Sequence, residues 1–134
     1  MRIRDGTSGE NRFTYQGHTS PVLAVAWSPD GRHIASGAIK EQVVHVWEAA
    51  MGRKIVFYNG NADGVKSVSW SFDGRYIASA SFDGTVQIWE VTTGRHVFTY
   101  QGHTGGVYTV AWSPNSWYIA SASKDRTVQV WNAK

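Results

Sequence analysis

The chain contains no cysteine, and its charged residues are few and balanced. Without cysteine there can be no disulfides, no thiolate zinc ligands and no cysteine nucleophile. Charged residues make up 17% of the chain, and the net charge of +3 comes without any run of like charge. Such a weak and scattered charge is not the clustered basic footprint of a nucleic-acid-binding protein. The longest apolar run, Pro21–Trp27, is far shorter than the roughly 20 residues that a membrane-spanning helix needs.

The N-terminal residues do not resemble a targeting signal. Met1–Gly6 carries charges but no apolar stretch follows it, which is not the pattern of a secretory signal. Together with the absence of cysteine, this pattern predicts a cytoplasmic protein that does not insert into membranes. With 42% hydrophobic residues the chain is not disordered, and 134 residues suit one domain or part of one.

Tryptophan, in contrast, is abundant and repeats at a fixed spacing. Six of the seven tryptophans fall into two series with steps of 42 or 43 residues: Trp27, Trp70 and Trp112, and Trp47, Trp89 and Trp131. A period near 42 indicates repeated supersecondary units. The extra residue of the first repeat lies within 38–42, where a surface turn tolerates an insertion. We therefore predict one domain, 1–134, with repeats at about 17–59, 60–101 and 102–134.

Each repeat is predicted to form four short strands. In the first repeat these are Val22–Trp27, His33–Ser36, Val43–Trp47 and Lys54–Tyr58, separated by turn residues such as Pro, Asp and Gly. The strands are rich in β-branched and aromatic residues, as a half-buried pleated surface favours. No convincing helical periodicity is present. This pattern predicts an all-β meander.

These residues carry a family resemblance. Gly17–His18, Trp27–Gly31, Ile34–Ser36 and Val44–Trp47 together resemble a blade of the WD-repeat β-propeller family, and the third repeat matches as well. The resemblance covers about residues 12–132 and implies three four-stranded blades per chain. The sequence departs from the family in having no Trp-Asp dipeptide.

The resemblance also implies a hydrogen-bonded chain inside each blade, from a loop histidine through a strand serine and a turn aspartate to a tryptophan. The third repeat supplies either Ser121 or Ser123 for the serine, the second repeat has Asn61 in the histidine's place, and the first lacks the turn acid. Because a buried indole or imidazole needs partners, we expect a structural role for these residues. They are His18, Trp47, Asn61, Asp83, Trp89, His103, Ser121, Ser123, Asp125 and Trp131.

Catalytic and metal-binding interpretations are less favoured. A serine, histidine and aspartate suggest a catalytic triad, but this set recurs with the repeat, which a true active site rarely does. His33, His45 and His96 are scattered without metal-ligand spacing. His45 shares its position with Gln87 and Gln129, so we expect it to point outward. No catalytic residue, metal or cofactor is predicted, and Asp30, Asp73 and Asn115 are assigned to turns.

The order of the segments predicts ring closure between chains. Phe13–Thr19 recurs identically at Phe98–Thr104, so the chain opens with a fourth strand at about residues 11–16 and closes after a third strand. Propellers of the family share one blade between their termini, so this N-terminal strand is expected to complete the last blade of a neighbouring copy. Propellers typically have about 4–8 blades, and three would leave two apolar faces exposed. We expect a cyclic homodimer of six blades or homotrimer of nine. The alternative is a fragment of a larger propeller.

The resemblance implies a non-enzymatic scaffold that presents loops to proteins or peptides. In the family, the residue before the turn acid faces the loop-rich rim, so the resemblance implies this place for Phe82 and Lys124, and less directly for Lys40. Asp63 lies in the matching loop, and Trp117 replaces an arginine at the opposite turn. Trp117 either covers its turn or contacts a partner. Two other functions stay open: a purely structural, engineered or nascent, self-assembling repeat protein, or a propeller that binds glycans or nucleic acid.

Overall fold

The computed structural model describes residues 2–4, 11–50, 52–59 and 64–133. The residues so described form thirteen β-strands and no helix, so none of them belongs to a helix that could cross a bilayer. The strands are β1 (Arg2–Arg4), β2 (Asn11–Thr14), β3 (Val22–Trp27), β4 (His33–Ala38), β5 (Val43–Glu48), β6 (Lys54–Asn59), β7 (Val65–Trp70), β8 (Tyr76–Ser81), β9 (Val86–Glu90), β10 (His96–Tyr100), β11 (Val107–Trp112), β12 (Tyr118–Ser123) and β13 (Val128–Asn132).

The strands form three successive antiparallel meanders and one hairpin. Blade one is the sheet β3-β4-β5-β6, blade two is β7-β8-β9-β10, and blade three is β11-β12-β13. A separate two-stranded sheet pairs β1 with β2. The prediction of an all-β meander is confirmed for the described residues, and the strands of blade one lie within about two residues of their predicted bounds.

The turn after the first strand of each blade is built by its own side chains. Ser28 Oγ donates to Asp30 Oδ1 at 2.6 Å, and the same carboxylate oxygen accepts from the backbone N–H of Arg32 at 3.0 Å. Gly31 follows with φ of 72°, a conformation that glycine adopts without steric cost. Asp73 and Asn115 accept equivalent hydrogen bonds in blades two and three. The structure thus places this column in turns.

Neighbouring blades are joined by a tryptophan that reaches the backbone of the preceding blade. Trp70 Nε1–H donates to the carbonyl of Ala26 at 3.0 Å, and Trp112 Nε1–H donates to the carbonyl of Ser69 at 3.1 Å. Around these bonds the facing side chains form two buried apolar clusters, one at each junction between blades. The repeat of the sequence is therefore also a repeat of the contact between blades.

Among the residues that the structure describes, no such contact is made by the first side of blade one, which we call the leading face (Val25 and Trp27). Val25 is 54% exposed, whereas Val68 and Val110 at the same position of the later blades are 7% and 5% exposed. Trp27 is 51% exposed, although its counterparts in blades two and three are buried. No preceding blade lies against these side chains among the described residues.

The last side of blade three, which we call the trailing face (Val128 and Val130), is also exposed. Val128 is 71% exposed, whereas Val44 and Val86 at the same position are completely buried under the following blade. Val130 is exposed in the same way. In its described part the chain therefore presents two unpaired apolar faces, which correspond to the two sides of one ordinary junction between blades.

The N-terminal strand has a partner that the sequence analysis did not predict. β2 pairs with β1, with Ile3 opposite Phe13, just as Ile88 lies opposite Phe98 in β9 and β10. The hairpin β1–β2 thus repeats the third and fourth strands of a blade. Within the chain β2 does not lie beside β13, whose outer edge pairs with no strand of the described part.

We predict that Gly64→Ala destabilises the junction between blades one and two. A Cβ atom at Gly64 would lie 1.8 Å from the carbonyl oxygen of Ile39, which is backbone and can move only with blade one. A cost of about 2 kcal/mol or more in the free energy of unfolding is expected. The matched control is Gly106→Ala at the next junction, where the corresponding contact is 3.1 Å. Equal losses for the two variants in urea unfolding would contradict the prediction.

Candidate functional site

Blade three contains a continuous hydrogen-bonded chain of four side chains. Asp125 Oδ2 accepts from His103 Nδ1 at 3.0 Å, His103 Nε2 lies 2.7 Å from Ser121 Oγ, and Trp131 Nε1 donates to the same Ser121 oxygen at 3.1 Å. The carboxylate fixes the N–H on His103 Nδ1, so Nε2 accepts from the serine hydroxyl. Ser123 is not part of this chain, because its hydroxyl donates to the carbonyls of the loop before β11.

Blade one contains the same chain with a different acid. His18 Nε2 lies 2.6 Å from Ser36 Oγ, which also accepts from Trp47 Nε1 at 3.1 Å. Glu41 Oε2 accepts from His18 Nδ1 and from the backbone N–H of Thr19, both at 3.0 Å. The prediction that the first repeat lacks the acid is therefore wrong. The inserted residue shifts the carboxylate along the turn, and the longer glutamate side chain reaches the histidine.

His45 was expected to point outward, and this too is wrong. His45 is only 4% exposed. Its Nδ1 accepts from Tyr15 Oη at 2.9 Å and its Nε2 donates to Glu41 Oε1 at 3.0 Å. The His45 ring also stacks on the His18 ring, with centroids 3.9 Å apart. Glu41 thus accepts an N–H from each of two imidazoles, which satisfies both rings in their neutral form.

Blade two keeps part of the chain within the described residues. Trp89 Nε1 donates to Ser79 Oγ at 3.2 Å. Asp83 accepts from the backbone N–H of Thr85 at 2.9 Å and so closes its turn. Asn61, predicted to replace the histidine, and Asp63, a candidate for partner binding, lie outside the described residues.

In blades one and three, a tyrosine covers the tryptophan of the hydrogen-bonded network. Tyr15 stacks on Trp47 with ring centroids 4.7 Å apart, and Tyr100 stacks on Trp131 at 4.2 Å. Tyr100 is the last residue of β10, the strand before blade three, and Tyr15 directly follows β2, so each stack connects a blade to the strand before it. The sequence signal for this contact was the repeated segment that contains both tyrosines, Tyr15 and Tyr100.

The electrostatics of these hydrogen-bonded networks favour the ionised form of both acids, Glu41 and Asp125, and the neutral form of His18. Burial lowers the pKa of His18, and the hydrogen bond that His18 donates to Glu41 only partly opposes this. For Glu41, burial acts to raise the pKa, but hydrogen bonds from His18 and Thr19 outweigh it and keep the pKa below its usual value. The hydrogen bond from Thr127, assisted by His103 and Thr104, holds the pKa of Asp125 well below its usual range.

The arrangement does not suit nucleophilic catalysis. Ser121 is 1% exposed, and its oxygen is already occupied by the indole of Trp131. A serine nucleophile must reach a substrate carbonyl while its base takes the proton, and this hydroxyl faces the interior of the blade. The chain thus positions the tryptophan and the loop histidine, and its chemistry is structural.

The candidate contact surface lies at the end of the blades where the second strand turns into the third. We call its three central side chains the rim cluster (Lys66, Phe82 and Tyr108). Lys66 Nζ lies 4.8 Å from the centroid of the Phe82 ring and 5.0 Å from that of Tyr108, within the range of cation–π attraction. Phe82 is half-buried and Tyr108 is exposed. Sequence reasoning selected Phe82 but missed the other two, although Lys66 and Tyr108 occupy one repeat position.

The other rim candidates are placed differently. Lys124 is exposed and has the same backbone contact as Phe82. The N–H of each donates to the carbonyl of the glycine before the first strand of its blade, Gly106 for Lys124 and Gly64 for Phe82. In blade one this backbone position belongs to Ile39 and not to Lys40, because the inserted residue shifts the register of the turn. Lys40 is exposed next to it, with its N–H donating to Ser20 Oγ at 3.2 Å.

Trp117 lies at the end of the blade opposite the rim cluster. It follows β11 in the turn that leads to β12, whereas Lys124 lies beyond the far end of β12. Trp117 is 60% exposed. Its side chain therefore buries little of the core, which favours the interpretation as a surface aromatic over that of a cover for its turn.

Comparison with known proteins identifies the repeats. Residues 9–48, 52–90 and 94–132 match the family model described as WD domain, G-beta repeat. The ribosome assembly protein 4 of Chaetomium thermophilum is 54% identical over 33 residues, covering 25% of this chain and 6% of that protein. WD repeat-containing protein 1-A of Xenopus laevis is 44% identical over 45 residues, covering 34% of this chain and 7% of that protein.

A solved structure shows the same fold. The crystal structure of the RRP9 WD40 repeats superposes with a TM-score of 0.83 at 30% sequence identity, covering 88% of this chain and 37% of that chain. The present chain thus spans well under half the length of each of these proteins.

We predict that Ser121→Ala destabilises the protein by about 1–3 kcal/mol, because it leaves the Trp131 N–H and His103 Nε2 without their buried partner. Urea unfolding measures the change. Thr93→Ala is the control, since the Thr93 hydroxyl makes an exposed hydrogen bond to Glu90. The control should change stability by less than about 0.5 kcal/mol. A Ser121→Ala variant as stable as this control would refute the structural role.

We predict that the stabilisation from Asp125 is lost in acid. The folded-state pKa of this carboxyl lies below its ordinary value of 3.8, so ionised Asp125 stabilises the fold above that pH. The contribution falls as the pH drops through the ordinary value towards the folded-state pKa. The stability difference between the wild type and Asp125→Asn, measured by urea unfolding, should be largest at neutral pH and shrink below about pH 4. A difference that stays constant down to pH 3 would contradict this assignment.

Proposed function

The chain belongs to the WD40 repeat family, and from this premise we propose that it is a non-enzymatic scaffold that binds protein or peptide partners at its rim. Members of this family are in general protein-interaction scaffolds. The observation that carries the proposal is the rim cluster, in which an ammonium group lies between two aromatic rings on a rigid frame. Exposed aromatic and cationic side chains on such frames are the usual anchors of interfaces.

The chemistry of the rim cluster suits one kind of partner. Phe82 and Tyr108 offer apolar ring surface, and Lys66 with exposed Lys124 nearby on the same rim offers positive charge. A peptide that combines an apolar side chain with a carboxylate would satisfy both features at once. Its acidic group would replace water around Lys66 while its apolar group covers the rings.

We also propose that the chain assembles with itself through the leading and trailing faces. The buried junctions pair the position of Val44 and Val86 with that of Val68 and Val110, so the exposed Val128 of one copy is suited to the exposed Val25 of another. The same repeat would direct the indole N–H of Trp27 to the carbonyl of Ala111 in the neighbouring copy. Two or three chains joined in this way would make a ring of six or nine blades.

Completion of blade three in such a ring requires a strand exchange. β2 would become the fourth strand beside β13 of the neighbouring copy, but its edge is occupied by β1 within the chain. Assembly by strand exchange would therefore release β1, whereas contact of the two faces alone would leave the hairpin intact. In a longer polypeptide, further blades would cover the same two faces and the ring would close within one chain.

Two other functions have their own discriminating observations. A purely structural repeat protein, engineered or nascent, would assemble but recover no partner. A propeller that binds glycans or nucleic acid would bind sugar arrays or RNA, and the RNA affinity would fall steeply with salt. The weak net charge of +3 and the absence of basic clusters make the latter the less favoured interpretation.

The rim proposal is tested by selecting peptides that bind the whole protein from a random library. We predict that Phe82→Ala weakens the selected peptides by about tenfold or more, since truncation of a central aromatic removes the anchor of the contact. Trp117→Arg, at the opposite end of the blade, restores the residue type of the other repeats and should leave binding unchanged. Peptides indifferent to Phe82→Ala but sensitive to Trp117→Arg would place the binding surface at the other end.

The assembly proposal is tested by the mass in solution, measured by light scattering. We predict two or three chains for the wild type and a monomer for Val25→Glu, because a charge on the leading face cannot be buried without a partner. Val97→Glu is the matched control, since Val97 is an exposed valine on the outer strand β10 and away from both faces. A stable wild-type monomer would overturn self-assembly and favour coverage of the faces by other blades.

A further inference from the structure

We propose that His18, Glu41 and His45 in blade one form a binding site for a divalent ion such as Zn²⁺. One ligand atom from each of these side chains lies within 4.8 Å of the other two. We call this group the His–Glu–His cluster. Two imidazole nitrogens with one carboxylate oxygen form a donor set that suits zinc and its neighbours, whereas Mg²⁺ and Ca²⁺ prefer oxygen alone. The proposal does not depend on partner binding at the rim.

The two nitrogen–oxygen distances in the cluster are close to those of a zinc site. Glu41 lies between the rings, with Oε2 at 3.0 Å from His18 Nδ1 and Oε1 at 3.0 Å from His45 Nε2. Ligand atoms about 2.0–2.2 Å from a tetrahedral zinc ion lie about 3.3 Å from one another. An ion that replaces the two N–H···O hydrogen bonds needs each bonded nitrogen and oxygen to separate by a few tenths of an ångström. The two nitrogens, which bind different oxygens of Glu41, must also lie about 3.3 Å apart, and the three ligand atoms now lie within 4.8 Å of one another.

The rings themselves must turn when the ion binds. Their planes meet at 25° with centroids 3.9 Å apart. Because the nitrogen lone pair lies in the plane of the ring, coordination of one ion by both rings requires the planes to converge further. The stacked pair is thus the metal-free arrangement, and its opening is a measurable sign of binding.

The oxygen partners that such ligands require are already in place. A metal-bound histidine almost always donates its other ring N–H to an oxygen atom. His18 Nε2 lies 2.6 Å from Ser36 Oγ, and His45 Nδ1 lies 2.9 Å from Tyr15 Oη. When the ion binds, each ring proton moves to the far nitrogen and faces one of these oxygens. Each imidazole stays neutral with one N–H, so binding needs no net loss of a proton from the rings.

The fourth coordination position has access to water. The side chains of His18 and His45 are 3% and 5% exposed, while that of Glu41 is 14% exposed. The ion would therefore approach from the side of the turn that carries Glu41. A site with three protein ligands and an open position there would hold a water molecule as its fourth ligand.

Blade three shows that the second imidazole is not needed for the fold. At the position of His45 blade three has Gln129, which accepts from Tyr100 Oη just as His45 accepts from Tyr15, and His103 and Asp125 complete the same chain. Gln87 takes this position in blade two. In the part of the chain that the structure describes, the His–Glu–His cluster is the one group of three histidine or carboxylate side chains whose ligand atoms lie within 4.8 Å of one another. His45→Gln consequently replaces a ligand with a residue that the fold already accepts.

The test is calorimetric titration of untagged, chelator-treated full chain with Zn²⁺. We expect one ion per chain, and His45→Gln should weaken binding about hundredfold or more through loss of a ligand. His96→Gln is the matched control, because His96 is an exposed histidine outside the cluster, and it should bind like the wild type. Unfolding curves without metal verify that each variant is folded. Glu41→Gln is the second variant. Its side chain has the same length and keeps one acceptor oxygen but loses the negative charge, so binding should weaken likewise.

A second measurement identifies the ligands directly. Nitrogen-15 NMR of the imidazoles should show Nδ1 of His18 and Nε2 of His45 shifting together on addition of one equivalent of Zn²⁺, with His33 and His96 unchanged. The proposal is overturned if Zn²⁺ does not bind stoichiometrically at micromolar concentrations. It is equally overturned if the wild type and His45→Gln bind alike, which would assign the ion to other groups.

Discussion

Each blade is a small sheet with two apolar faces, and only another blade can cover them. This constraint explains why Val68 and Val110 are buried while Val25, at the same position, is half exposed. Full burial of such a side chain stabilises a protein by about 1.5–3 kcal/mol, so every blade depends on both neighbours. The indole of Trp70 adds direction to this packing, because its N–H reaches the backbone carbonyl of Ala26 in the preceding blade.

The polar chain inside the blade follows from the same packing. A tryptophan that covers the sheet buries its N–H, and Ser36 or Ser121 accepts it while donating to a loop histidine. The chain therefore connects the interior of the blade to the loop at its rim. An acid at the exposed end keeps the histidine in one tautomer, and either Glu41 or Asp125 does so. Blades one and three both have this carboxylate, although its position along the turn differs between them.

What the sequence could predict was whatever the three repeats share. The strands, the turn column of Asp30 and the partners of Trp131 follow from comparing one repeat with the next. Positions in which one repeat differs from the others were harder. Glu41 and His45 were misjudged because the insertion shifts the turn and because a column of glutamines suggested an outward side chain. β1 was missed because Arg4 stands where Trp89 would be expected, although Ile3 keeps the spacing of Ile88.

Those differences between repeats carry the information about function. A position filled alike in all blades is explained by packing, as the buried tryptophans and their serines are. The second imidazole at His45 has no counterpart in the other blades, and the ammonium of Lys66 lies against Tyr108, which fills the same repeat position in the next blade with an aromatic ring. Neither feature is required to build a blade, since the other blades are built without it. On a repeated scaffold, a functional residue is therefore best sought where one repeat has a different side chain from the others at the same position but keeps the same backbone conformation.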